Sequence, residues 1–164
     1  MKSPAEPKQA PIYRALKSAF DICMSALLML MLWPLGASLA IMIVLDSKGS
    51  PIYAQNRIGL NKRHIRLYKF RSMVSNADAL KSNFTPEQLA EWQQNFRLEH
   101  APRITKMGAF LRRTGLDELP QLINIFKGEM SFVGPRPIVE EELPLYVECA
   151  EKLISVKPGL SGYW

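Results

Sequence analysis

An apolar run dominates the first third of the chain. It covers Ile22–Leu45 and contains 24 residues without a charged side chain. As one helix the run would be about 36 Å long, enough to cross a hydrocarbon core of about 30 Å. Pro34 lies in its middle, where a proline removes a backbone donor and crowds the preceding turn. The run therefore predicts a membrane segment, either a spanning helix or two short arms that meet at Pro34.

Basic residues flank the apolar run equally on both sides. Lysine and arginine normally concentrate on the cytoplasmic side of a membrane, so this loading gives a spanning helix no preferred orientation. A helix–break–helix that enters and leaves the same leaflet would place both ends in the cytosol. The residues alone leave both arrangements open, because spanning helices also tolerate proline. The flanking cations are Lys2, Lys8, Arg14 and Lys17 before the run, and Lys48, Arg57, Lys62 and Arg63 after it.

The rest of the chain predicts a small α+β domain that is mainly helical. Alternating apolar residues indicate strands, and several stretches have the 3.6-residue spacing of amphipathic helices. A helix that starts near Asp117 has a clear buried face, formed by Leu119, Leu122, Ile123 and Phe126. The other predicted elements are strands at Ile52–Arg57, Ile65–Arg71 and Ser131–Val133, a loop at Gly59–Arg63, and helices at Thr105–Arg113 and Pro144–Ser155.

A further helix start occurs at Thr85–Gln88, where a threonine cap precedes proline at the first helical position. Leu89, Trp92 and Phe96 then recur on one face. This face predicts core packing, membrane contact or a homo-oligomer interface, and the sequence leaves these alternatives open. The chain thus divides into an N-terminal cytosolic or interfacial segment (1–21), a membrane helix (22–45) and a cytosolic domain (46–164).

The formal net charge is +6, from 21 basic and 15 acidic side chains, and it predicts attraction to anions. No acid occurs in Ser47–Ala77, a stretch that includes Lys69 and Arg71. This stretch fits either a solvated basic surface or contact with anionic lipid head groups or a diphosphate. Nucleic-acid binding is disfavoured because it leaves the apolar run unexplained.

Two cysteines, Cys23 and Cys149, are too few for a disulfide framework and fit a reducing cytosol. The two histidines, His64 and His100, have no metal-ligand neighbours. A zinc site or a histidine-activated nucleophile is therefore not expected.

Two adjacent carboxylates, Asp117 and Glu118, follow Arg112 by five and six residues. A carboxylate at a helix start often only caps free backbone donors. The same position also suits phosphoryl transfer through a covalent aspartyl intermediate, which needs a carboxylate nucleophile, a metal or proton partner and cations that hold phosphate. On a helix the two carboxylates diverge by about 100°, so they would have different roles.

Three arginines offer the forked donors that suit phosphate oxygens, namely Arg112, Arg113 and Arg136. Pro135 and Pro137 flank Arg136 and limit its backbone freedom. No Gly-rich Walker loop occurs, so nucleotide binding of that type is not supported.

Several motifs in consistent order resemble the bacterial sugar transferases, which are monotopic phosphoglycosyl transferases. The similarity runs from about Tyr13 to Trp164. Any one motif would be weak, but the ordered set is specific. The motifs are Lys69–Met73, Pro102–Lys106, Leu116–Leu122, Lys127–Ser131, Val133–Pro137 and Lys157–Gly159.

The resemblance implies an enzyme on the cytoplasmic face of the bacterial inner membrane. Such enzymes transfer a sugar 1-phosphate from a UDP-sugar to a polyprenyl phosphate, usually undecaprenyl phosphate, and release UMP. This step starts a capsule, an exopolysaccharide or an O-antigen. The resemblance further implies Mg²⁺ as cofactor and a re-entrant helix broken at Pro34, with residues 46–164 as the catalytic domain.

By the same resemblance, Asp117 is the nucleophile and Glu118 its partner in magnesium binding and catalysis. Asp117 also contributes to the metal site, and Arg112 and Arg136 match phosphate-binding positions. Arg113, Lys69 and Arg71 complete the expected substrate-binding set.

The chain departs from the family pattern in three places. Trp33 stands where many members have Ser, and Ala101 stands where an Asp often precedes Pro-Arg. The domain is also expected to lack the family's C-terminal part. The alternative function is a non-catalytic, membrane-anchored module that binds anionic lipid or a protein partner. It accounts for the basic stretch but gives no reason for the carboxylate pair beside Arg112.

Overall fold

The computed structural model describes residues 11–74, 104–146 and 150–162. Within these ranges it mixes helix and strand and is mostly helical, which confirms the predicted fold class. The helices are α1 (Pro11–Asp46), α2 (Lys106–Thr114), α3 (Gln121–Phe126) and α4 (Ala150–Ile154), with 3₁₀ helices at Leu60–Lys62, Leu116–Glu118 and Glu140–Tyr146. The strands are β1 (Ile52–Ile58) paired with β2 (His64–Phe70), and β3 (Ser131–Val133) paired in parallel with β4 (Gly159–Ser161).

The first helix, α1, is longer and more continuous than the sequence predicts. It contains 36 residues, about 54 Å, and continues through Pro34. The described residues therefore show no interruption of the helical backbone at Pro34, whereas the predicted re-entrant arrangement stays a prediction. Proline removes one backbone hydrogen bond while the turns on either side keep theirs. Ser38 adds a side-chain bond, since its hydroxyl donates to the Pro34 carbonyl at 2.8 Å.

The chain forms two compact units, and each contains part of α1 and part of the β1–β2 sheet. The first includes the described residues of Met1–Leu32, Gln55–Leu67 and Gln121–Trp164. The second includes those of Trp33–Ala54 and Tyr68–Pro120. The division crosses α1 between Leu32 and Trp33.

The core of the first unit lies where β2, α3 and the N-terminal part of α1 meet. Leu28, Met29 and Leu32 of α1 pack against a buried cluster from the other elements. A polar contact holds the same part of α1 to β3, because Asp21 accepts a hydrogen bond from the Phe132 N–H at 3.4 Å. Asp21 also pairs with Lys17, one turn earlier on α1, at 3.2 Å. The buried cluster consists of Ile65, Leu67, Leu122, Ile125 and Met130.

The core of the second unit contains Leu39 and Ile43 of α1, Phe70 of β2 and Leu111 of α2. The carboxylate of Asp46, the last residue of α1, accepts from the Met107 N–H at 3.1 Å. The start of α2 is thus bound to the end of α1.

Among the described residues, one helix is long and apolar enough to cross a membrane, and it covers Ile12–Asp46. Only 11% of its most apolar stretch is buried inside the protein. Large apolar side chains therefore remain exposed along both parts of α1, including Leu16, Phe20, Leu30, Met31, Trp33, Ile41 and Leu45.

Several sequence predictions agree with the structure and others need correction. Both predicted strands of the β1–β2 pair form, and Thr105 caps α2 by accepting from the Gly108 N–H at 2.9 Å. The predicted helix from Asp117 is instead a 3₁₀ helix, a turn and then α3. Phe126, placed on the buried face by the sequence, is 48% exposed, whereas Ile125 is fully buried.

The helix predicted at Pro144–Ser155 is described in two parts, on either side of residues 147–149. A 3₁₀ helix ends at Tyr146, and α4 starts at Ala150. The predicted helix from Thr85, with its face of Leu89, Trp92 and Phe96, lies outside the described residues.

Candidate active site

The two adjacent carboxylates lie on a short 3₁₀ helix that follows a sharp helix end. The helix α2 stops at Gly115, whose φ of +70° is in the left-handed region that favours glycine. The chain then turns into Leu116–Glu118. Leu116 and Leu119 pack against the core of the second unit, which leaves Asp117 and Glu118 half-buried at its edge.

Lys69, near the end of β2, brings a positive charge to this pair. Its ammonium Nζ donates to Glu118 Oε1 at 2.7 Å, and both side chains remain partly exposed. Lys69 lies on the same face of β2 as the buried Leu67 but is itself only partly buried. The sequence placed Lys69 in a phosphate-binding set, and the structure joins it directly to Glu118.

Arg112, in the last turn of α2, provides a second positive charge. Its guanidinium Nε donates to the hydroxyl of Ser72 at 2.9 Å. The backbone of Ser72 is itself fixed, because its carbonyl accepts from the Thr105 N–H at 3.2 Å. A side chain at Gly108 would meet that same carbonyl oxygen at 2.0 Å, so α2 can pack here only without one.

The electrostatic environment of Asp117 is mixed. Burial raises the pKa of this carboxyl above its ordinary value, and the charge of Glu118 adds to the rise. Lys69 and Arg112 act in the opposite direction and favour the ionised form. The carboxylate is thus partly desolvated yet faces two cations, which is an environment suited to a nucleophile that must approach an anion.

Arg71, Arg113 and Arg136 have different surroundings. Arg71 donates to the carbonyls of Ile43, Ser47 and Lys48 at the end of α1, where it caps the helix. It is 9% exposed, so these contacts hold the end of α1, and its part in phosphate binding stays a prediction. Arg113 is exposed on α2.

Arg136 belongs to the first unit. Its Nη2 lies 3.7 Å from Oε1 of the buried Glu142. Sequence reasoning overlooked Glu142, and it also overlooked Ser72. Ser72 lies inside the Lys69–Met73 motif, which was the only signal available for it.

A divalent cation would have two neighbouring carboxylates available, Asp117 and Glu118. No group of three or more His, Cys, Asp or Glu side chains able to hold a metal occurs in the described ranges. Mg²⁺ typically takes one or two carboxylates and completes its six ligands with waters and substrate phosphate oxygens. The donor set therefore fits a Mg²⁺ ion shared with a phosphorylated ligand.

Taken together, an apolar helix of membrane-crossing length and a carboxylate pair beside two cations define an α+β membrane-type protein with a site for anionic groups. Comparison with known families agrees with this class. The model for the bacterial sugar transferases matches residues 12–164, and the chain belongs to this family.

Three similar proteins have names that state a function. The chain is 43% identical over 154 residues to the undecaprenyl-phosphate galactose phosphotransferase of Salmonella typhimurium, a match that covers 92% of this chain and 32% of the relative. It is 41% identical over 157 residues to the exopolysaccharide production protein ExoY of Sinorhizobium fredii, covering 94% and 70%. It is 38% identical over 156 residues to the UDP-glucose:undecaprenyl-phosphate glucose-1-phosphate transferase of Escherichia coli, covering 93% and 31%. The chain thus spans about a third of the length of two of these proteins.

Proposed function

We propose that this chain transfers a sugar 1-phosphate from a UDP-sugar to a polyprenyl phosphate, such as undecaprenyl phosphate, and releases UMP. The step would begin the assembly of a bacterial capsule, exopolysaccharide or O-antigen. The observation that carries the proposal is the position of Asp117, half-buried and adjacent to Glu118, Lys69 and Arg112. The names of the relatives support the same class of reaction.

In the first step a carboxylate oxygen of Asp117 attacks the sugar-proximal phosphorus. The bond from that phosphorus to the bridging oxygen breaks, UMP leaves with the bridging oxygen, and the phosphosugar stays on Asp117. In the second step an oxygen of polyprenyl phosphate attacks the same phosphorus, and the bond to Asp117 breaks. The carboxylate is regenerated, so one nucleophile serves both half-reactions.

Lys69 and Arg112 have defined tasks in this scheme. Arg112, held through Nε by Ser72, would offer its guanidinium to phosphate oxygens. Lys69 bonds to Glu118, and a diphosphate would compete for its ammonium. Asp117 and Glu118 would hold Mg²⁺, which would supply neutralisation of the phosphate charge. Orienting both reactants contributes about 7–11 kcal/mol to lowering such barriers in favourable cases.

We further propose that α1 is re-entrant and that the protein is monotopic on the cytosolic face of the inner membrane. Contacts near both ends of α1 support this arrangement. Asp21 bonds to Phe132 in the first unit, and Asp46 bonds to Met107 in the second. Each bond lies within one unit and joins α1 to an element that follows it, and the cations on both sides of the apolar run favour placing both ends of the helix in the cytosol.

Labelling of single cysteines tests this topology. In a chain whose Cys23 and Cys149 are replaced by serine, we expect a membrane-impermeant maleimide to label both Ile12→Cys and Ser50→Cys in inside-out vesicles. In right-side-out vesicles neither position reacts. Labelling of the two positions from opposite sides would show a spanning helix instead.

The competing function is a non-catalytic anchor that binds anionic lipid. Its best support is the β1–β2 turn with the start of β2, where Lys62, Arg63 and Arg66 are exposed and make no ion pair with any described residue. Release of UMP separates the two functions. We expect the purified chain, mixed with Mg²⁺, polyprenyl phosphate and a panel of UDP-sugars, to release UMP with at least one sugar. Vesicle binding without UMP release from any of them would favour the anchor.

A further inference from the structure

The Pro-Arg-Pro turn around Arg136 has a fixed backbone. Four hydrogen bonds from other elements of the first unit hold the segment on both sides of the arginine. The position of the guanidinium is therefore set by the contacts of the Arg136 side chain itself. The bonds run from Gly134 N–H to the Ser161 carbonyl (3.0 Å), from Gly159 N–H to the Pro135 carbonyl (2.8 Å), from Arg57 Nη1 to the Pro137 carbonyl (3.3 Å) and from Ile58 N–H to the Ile138 carbonyl (2.9 Å).

Glu142, one turn further along, is an unusual partner for that arginine. It is 3% exposed, and neither of its carboxylate oxygens accepts a hydrogen bond from any residue that the structure describes. A buried carboxylate without donors is costly unless a cation compensates it. The compensating charge is Arg136, whose Nη2 lies 3.7 Å away, beyond ordinary hydrogen-bond distance.

We infer that Glu142 is a positioning residue that orients the Arg136 guanidinium for a substrate phosphate. This inference rests on the proposed function. The attraction at 3.7 Å restricts where the guanidinium lies, yet it leaves the N–H donors of Arg136 available for phosphate oxygens. A direct bidentate bond to Glu142 would instead occupy those donors. The pair therefore limits the rotamer freedom of Arg136 without competing strongly with the ligand.

Substitution of Arg136 and substitution of Glu142 are expected to have different effects on the Tm. Arg136→Met leaves the buried carboxylate of Glu142 without its cation, so we expect the Tm to fall. Glu142→Gln keeps the shape of the side chain and removes a buried charge, so we expect the Tm to stay the same or rise. A residue that only stabilises the fold would lower the Tm when it is changed.

The experiment measures the Tm and the kinetic constants of UMP release for Glu142→Gln, Arg136→Met and the double variant. We expect Glu142→Gln to raise the KM for the UDP-sugar about tenfold and to change kcat less than about twofold. A tenfold rise corresponds to the loss of part of one charge-assisted hydrogen bond. The double variant should have the KM of Arg136→Met, because Glu142 acts through the arginine, and it should regain part of the lost Tm. Glu140→Gln is the matched control, since it removes an exposed carboxylate from the same 3₁₀ helix and we expect it to change neither quantity.

Two results would overturn the inference. One is an unchanged KM in Glu142→Gln, and the other is a KM effect that adds fully to that of Arg136→Met. A wild-type chain that releases no UMP would contradict the proposed function instead. In that case the Tm values alone test the Arg136–Glu142 pair. If the pair does not form, the double variant will have no higher Tm than Arg136→Met.

Discussion

Asp117→Asn is expected to slow UMP release by at least about 10³-fold and to abolish the covalent phosphosugar adduct. The amide keeps the size and position of the side chain but has no nucleophilic oxygen. Incubation with a radiolabelled UDP-sugar, followed by denaturation, measures the adduct directly. Labelled protein at the wild-type level in this variant would exclude Asp117 as the nucleophile. Asp46→Asn is the matched control, because asparagine can still cap α2, and it should keep the adduct.

The raised pKa of Asp117 adds a pH dependence and a stability effect to this prediction. Between the ordinary pKa and the raised one, the folded chain holds a proton that the unfolded chain has released. Stability contributed by this group is therefore present at lower pH and is lost as the pH rises through that interval. At neutral pH Asp117→Asn should melt at the wild-type temperature or above it.

Turnover by the wild type should fall with acidification through the same pH interval, since the protonated carboxyl of Asp117 cannot attack.

Gly108→Ala is expected to lower both the stability and the activity severely. The new methyl group would lie 2.0 Å from the carbonyl oxygen of Ser72 and 2.6 Å from its carbon, both backbone atoms that cannot rotate away. Overpacking of this kind costs about 1–3 kcal/mol and sometimes more. Because α2 must shift, the bond from Arg112 to Ser72 is also disturbed.

Thermal unfolding and UMP release measure the two effects of Gly108→Ala. Gly36→Ala is the control for the substitution itself, because nothing lies within 4 Å of the added methyl group and alanine favours a helix. It should be neutral or slightly stabilising. Equal Tm values for the two variants would mean that α2 does not contact the Ser72 backbone as described.

The sequence predicted well those features that depend on local patterns. The Thr105 cap, the end of α2 near Gly115 and the β1–β2 pair all follow from short-range rules, and all three form. The carboxylate pair was also recognised, because adjacent acids after an arginine are conspicuous without any coordinates.

Predictions that depended on tertiary contacts were less successful. The arginines of the basic stretch look alike in sequence, yet Arg71 is buried against carbonyls of α1 while Arg63 is exposed. Helical periodicity placed Phe126 inside, but a turn before α3 changes the phase of the buried face and brings Ile125 to the core. Strand β4 was missed because it contains three residues and becomes regular only by pairing with β3.

The cap that Arg71 forms has a consequence for how turnover responds to lipid. Arg71 lies between Lys69, which binds Glu118, and Ser72, which binds Arg112. The guanidinium of Arg71 also donates hydrogen bonds to carbonyls at the end of α1. With α1 embedded as proposed, a change of bilayer thickness that displaces the end of this helix would be transmitted through the Arg71 side chain to both phosphate-binding cations. The surrounding lipid would then regulate the catalytic rate without touching the substrate.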